Sequence, residues 1–109
     1  MKIEIQIRTV SETNQREHWS SRHRRRSQQR GLARLRLSAE KLPSLPATVI
    51  LTRLAQRKLD DDNLRGALKS IRDGVADAYN VDDGSDDFNW QYNQLKSKEY
   101  GVRIEIKRL

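Results

Sequence analysis

Across residues 63–79 the apolar side chains recur at helical spacing. At about 100° per residue, Leu64, Ala67, Leu68, Ile71, Val75 and Ala78 fall on one side of a helix. Such a helix has one core face and must lay it on a partner. Three segments are candidates to receive it. "KIEIQIR" at residues 2–8 alternates polar and apolar and sets Ile3, Ile5 and Ile7 on one face of a strand, and "GVRIEIKRL" repeats the pattern through Val102, Ile104 and Ile106. "ATVILTRLAQR", from Ala47 and after Pro43 and Pro46, is rich in β-branched residues and reads as a more buried strand leading to the helix. The C-terminal region is expected to hold a strand pair linked near "KSKEYG", with Trp90, Tyr92 and Tyr100 filling core or interface. The class is α+β, a small mixed sheet in a single domain over residues 1–109, with no internal repeat.

The 109 residues are 35% hydrophobic and 34% charged, so the core is thin and burial between subunits would add to it. A homodimer is expected. The formal charge of +7 makes a polyanion the first partner to consider, since clustered cations gain affinity by displacing counterions from phosphates. The charge is also concentrated. From residue 16 to residue 36 eight arginines stand against one acid, Glu17. Residues 11–41 lack proline and read as a basic helical arm, interrupted at Gly31, with Trp19 packing the arm onto the body in preference to stacking on an exposed base. Arg22, Arg24, Arg25, Arg26 and Arg30 are the candidate phosphate contacts. No apolar run approaches a membrane span and no secretory segment follows Met1, so a cytoplasmic location is expected. With no cysteine, disulfides and thiolate metal sites are excluded.

The acids are clustered too. Nine of the fifteen carboxylates lie between residues 60 and 87. On the helical wheel Asp62, Gly66, Lys69, Asp73 and Asp77 gather opposite the core face. Asp60, Asp61 and Asp62 suit the start of a helix, where carboxylates accept orphan N–H groups and favour the dipole. One would be enough. The triplet together with Asp82 and Asp83 beyond the helix end favours a hard divalent ion, Mg²⁺ or Mn²⁺ in its place, held by oxygen donors. Lys69 either adds positive charge at a phosphodiester undergoing attack or pairs with Asp73 at i,i+4, and the two roles are compatible.

Residues 58–84 resemble the RusA family of Holliday junction resolvases, small dimeric endonucleases of phages and prophages. Asp60, Asp62 and Asn63 match the family's Asp-x-Asp-Asn motif, "KSIRDG" at residues 69–74 its Lys-x-x-x-Asp-Gly segment, and "VDDG" at residues 81–84 its later Asp-Asp pair. Lys69 stands three residues further from Asn63 than the lysine of the family's first member. The resemblance implies a Mg²⁺-dependent crossover junction endodeoxyribonuclease that nicks opposed strands of branched DNA in recombination and repair. It further implies Asp60, Asp62 and Asp83 as metal ligands, Lys69 as a catalytic partner, and Asn63, Asp73 and Asp82 in support. Two alternatives stand beside it: a module of the same fold that binds branched DNA without cutting it, and a phage interaction protein whose acids are caps and surface.

Overall fold

The computed structural model describes residues 1–11 and 18–109. Its elements are β1 (Lys2–Ile5), α1 (Trp19–Ser38), β2 (Ala47–Ala55), α2 (Asp61–Tyr79), β3 (Phe88–Lys96) and β4 (Gly101–Arg108). The α+β class expected from the sequence is what forms: two helices and a four-stranded mixed sheet in the order β1-β4-β2-β3. Among the described residues no helix is long and apolar enough to cross a membrane.

β2 sits in the sheet interior because both its faces carry apolar or β-branched residues. It pairs antiparallel with β4 and parallel with β3. A parallel pair needs a long crossover, and α2 supplies it. This corrects the expected C-terminal strand pair: β3 and β4 are linked at residues 97–100, yet they flank β2 and do not bond to each other. β1 closes the other edge antiparallel to β4 and is shorter than the alternation suggested, ending at Ile5. Ile7 lies past its end and still packs against the core.

The core is a single cluster between sheet and helices. Ile3, Ile5, Val49, Leu51, Val102, Ile104 and Ile106 from the strands meet Leu64, Leu68, Ile71 and Val75 from α2. These α2 residues belong to the stripe read from the sequence. Losing one of the larger, such as Leu68, removes a side chain with no exposed surface, a change that costs about 2–5 kcal/mol. Trp90 and Tyr92 pack partly buried against this core, as expected.

α1 departs from expectation in two respects. It runs unbroken through Gly31, because that residue faces open space and needs no left-handed backbone. A mid-helix glycine costs only about 1 kcal/mol, and Gln29, Ala33 and Leu37, buried at four-residue spacing on either side, anchor the helix. Trp19 does not pack onto the body and is 70% exposed. It opens the helix ten residues ahead of Gln29, the first buried position, so no core lies beneath it. The part of the expected arm at residues 12–17 lies outside the described residues.

α1 is laid on α2 at Gly74. A Cβ there would come within 2.6 Å of the Arg30 carbonyl oxygen and 2.7 Å of the Ala33 Cβ, both parts of the facing helix that cannot swing aside. Gly66, two turns earlier, has nothing within 4 Å of the same point. The two glycines should therefore respond oppositely to alanine. Gly74→Ala is expected to destabilise by about 1–3 kcal/mol through overpacking, and Gly66→Ala to stabilise by about 0.5–1 kcal/mol through chain entropy, both read from urea unfolding.

Candidate functional site

α2 positions the acids through its two ends. At its start Asp60 is the N-cap, and its Oδ1 accepts from the Asn63 backbone N–H at 3.0 Å. Asp61 and Asp62 follow in the first turn, exposed, where the helix dipole favours their charge. Asn63 is fixed from a second direction, because the Ser11 hydroxyl donates to its Oδ1 at 2.8 Å.

At the other end Asn80 takes the left-handed conformation (φ 56°), which asparagine tolerates better than most residues. Its N–H donates to the Asp77 carbonyl and that of Val81 to the Ala76 carbonyl, at 3.0 and 3.1 Å. This pair of bonds closes the helix and turns the chain back. Asp82 then accepts from the Gly84 N–H at 2.8 Å and tightens the turn. Asp83 comes to lie against the side of α2.

Asp83 is held there from several directions. Lys69 Nζ donates to its Oδ2 at 2.9 Å and to Asp73 Oδ1 at 2.8 Å. Arg72 Nε donates to the same Oδ2 at 2.9 Å, and Arg72 Nη2 and Trp90 Nε1 both donate to the Asp83 carbonyl. Arg72 also donates to the Tyr92 hydroxyl at 2.8 Å and lies over the Trp90 ring, 4.7 Å from its centroid. The hydrogen bond from Lys69, and then the nearby charges of Lys69 and Arg72, hold the Asp83 carboxyl below the usual carboxylate range. Burial works against the Lys69 charge, but the bonds to Asp73 and Asp83 outweigh it and its pKa is raised.

The face read from the wheel is therefore real at Lys69 and Asp73, and it gathers Asp83 as well. Asp62 keeps its place on that face at the start of the helix, and Asp60 caps it. Seven residues separate Asp62 from Lys69, about 10 Å along the axis, and Asp83 is held by the side chains of Lys69 and Arg72. Among the described residues no three carboxylate or histidine side chains converge as a metal site. Asp60 is engaged as a cap and Asp83 by two cations, and among the described residues the three do not converge as an ion site in this arrangement.

Of the arginines, Arg30 forms a two-pronged pair with Asp77, Nε to Oδ2 at 2.6 Å and Nη2 to Oδ1 at 2.8 Å, which ties α1 to α2 and lowers the Asp77 pKa. Arg24 and Arg26 are exposed, and Arg22 and Arg25 half-buried. Arg26 and Arg30 line a groove of ≈ 390 Å³ between the helices together with His23, Gly66, Lys69 and Asp73. Arg72, Trp90 and Tyr92 join this network without a sequence motif that marks them for it. The one signal was spacing: Arg72 follows Lys69 by three residues and so flanks it on the helix.

The sign of the Asp83 shift makes a prediction. A depressed carboxylate contributes stability above its unfolded pKa of about 3.9, and that contribution is lost as pH falls through the lower folded value. Asp83→Asn should lower stability at pH 7 by about 1 kcal/mol, a partly exposed pair being discounted for solvent. The same variant should flatten the acid limb of the stability profile below about pH 4, measured by denaturant unfolding across pH.

Compared with known proteins, the chain matches no family model, no curated protein and no solved structure.

Proposed function

We propose that this chain binds branched DNA as a homodimer and, in the manner of the RusA resolvases it resembles, nicks that DNA with Mg²⁺. The single observation that carries the binding half is the charge of α1. Over twenty residues it holds seven arginines and no acid, and its buried positions are Gln29, Ala33 and Leu37. Arg24, Arg26, Arg34 and Arg36 are exposed on it, and a cationic rod of that kind suits a phosphate backbone. The groove between the helices, bordered by Arg26, Arg30 and Lys69, gives the strand a track across α2.

The nicking half rests on the resemblance of residues 58–84. In catalysis of this class a bound divalent ion polarises the phosphodiester and activates water. The carboxylates that the resemblance assigns to it are Asp60, Asp62 and Asp83, which among the described residues do not converge as an ion site in this arrangement. The pinning of Asp83 by Lys69 and Arg72 favours a second reading, a module that recognises branched DNA without cutting it.

A labelled four-way junction separates the two. Wild-type protein in Mg²⁺ is expected to bind the junction and release nicked duplexes, and Asp62→Asn or Asp83→Asn to bind without nicking. Binding with no product in either Mg²⁺ or Mn²⁺ would establish the second reading. Replacing Arg24, Arg25 and Arg26 together by Ala should reduce the slope of log K against log salt by up to about 3, and an unchanged slope would exclude α1 as the contact surface.

A further inference from the structure

A second cluster of arginines, away from the α1 stripe, surrounds a cavity at the carboxyl end of β2. Along β2 the residues Ala47, Val49 and Leu51 point to the core, and Arg53 takes the next position in that alternation, only 7% exposed. Its guanidinium donates from Nε to Thr9 Oγ1 (3.1 Å), from Nη1 to the Arg57 carbonyl (2.7 Å) and from Nη2 to the Thr9 carbonyl (3.3 Å). Every acceptor is neutral. A guanidinium carries five N–H donors, and among the described residues these bonds use three of them.

Arg8 and Arg57 line the same cavity of ≈ 440 Å³, with the Thr9 and Ser11 segment and Tyr100, and among the described residues no acid lines it. Arg8 is braced over the Tyr100 ring, 4.7 Å from its centroid. Burial, with the like charge of Arg8 added, holds the Arg53 pKa below the ordinary arginine value. Among the described residues Arg53 has no ion-pair partner; a buried cation so placed is costly, and the neighbouring Arg8 charge adds to the cost. An anion entering the cavity removes that penalty, and a phosphate offers acceptor oxygens to the planar forks of three arginines.

The position gives the pocket its use. Leu59, the residue before the Asp60 cap, lines it, and Ser11 on its wall donates to Asn63 in the first turn of α2. On the other side Gln29 of α1 donates to the Arg8 carbonyl at 3.4 Å, so the rim adjoins the arginine helix. The pocket also lies where the parallel strands β2 and β3 end, the side of an α/β sheet on which ligands usually bind.

We propose that Arg8, Arg53 and Arg57 form a phosphate-binding pocket, and that its occupant is a phosphate of the DNA backbone passing from α1 to the Asp60–Asp62 turn. The second clause rests on the function proposed above. Arg8 and Arg57 are exposed and their loss leaves the core intact, so they carry the test. Inorganic phosphate titrated into the full chain should shift the Arg53 Nε resonance saturably, and the double variant Arg8→Ala, Arg57→Ala should abolish saturation. On a four-way junction each single variant should lose about tenfold or more in affinity and reduce the salt slope by about one. Lys107→Ala, an exposed cation at the far end of β4, serves as the control for a general loss of charge. No saturable response to phosphate together with an unchanged slope would overturn the pocket. A saturable response with the slope unchanged would remove DNA as its source. If wild-type protein binds phosphate but no DNA, the pocket stands and the function proposed above falls.

Discussion

The crossing of α1 over α2 at Gly74 is the contact on which the remaining arrangement depends. With no side chain there, the α1 backbone at Arg30 and Ala33 comes down onto α2, and Ala33 and Leu37 reach the core. Only from that height does Arg30 meet Asp77 along two bonds. A larger residue at position 74 would lift the helix and separate the basic stripe from the acidic one. In the resemblance this glycine belongs to a sequence motif, and in the fold its part is steric.

The crossing also explains much of the acidity in an otherwise basic chain. α2 lies between cations on both sides, Arg30 from α1 and Arg72 with Lys69 from its own surface. Asp77, Asp73 and Asp83 answer them. Exposed ion pairs contribute little to stability, because solvent screens them and long side chains must be ordered. The Asp83 cluster differs in kind: Arg72 is only 24% exposed, lies over Trp90 and bonds Tyr92, so several contacts fix a single geometry. Its consequence is to hold the 81–84 turn in one place.

Much of this was legible from local pattern. The alternation of Ile3 and Ile5, of Val102, Ile104 and Ile106, and the helical stripe from Leu64 to Ala78 each depend on nearest neighbours and appear in the structure as the core. What escaped depends on partners distant in sequence. Gly31 looked like a break, since propensity sees the missing side chain and not the buried residues on either side that hold the helix. Trp19 looked like an anchor because large aromatics are usually buried, and no local signal reports that α1 projects past the core. The strand order was hidden for the same reason, as β3 and β4 adjoin in sequence but β2 lies between them. For the site, the wheel placed Lys69 with Asp73 correctly. It could not tell that the Asn80 turn brings Asp83 to Lys69 and leaves Asp60 and Asp62 two turns away. Arg53 was visible in principle, as an arginine on the core side of a buried strand.

The sheet topology joins the two remaining charged features. Because β2 and β3 run parallel, the chain must leave β2 at its carboxyl end and start α2 there, so Arg53 and Arg57 lie only a few residues ahead of the Asp60 cap. Gln94 of β3 fixes that passage, accepting from the Leu59 N–H and donating to its carbonyl at 2.9 and 2.7 Å. Among the described residues none of the acids at the helix start forms an ion pair with these arginines. Neighbouring opposite charges that do not neutralise each other keep their affinity for outside partners. Under the proposed function a nucleic-acid strand would offer phosphate to the arginines and its cations to the aspartates, and so would satisfy both sets at one end of the sheet.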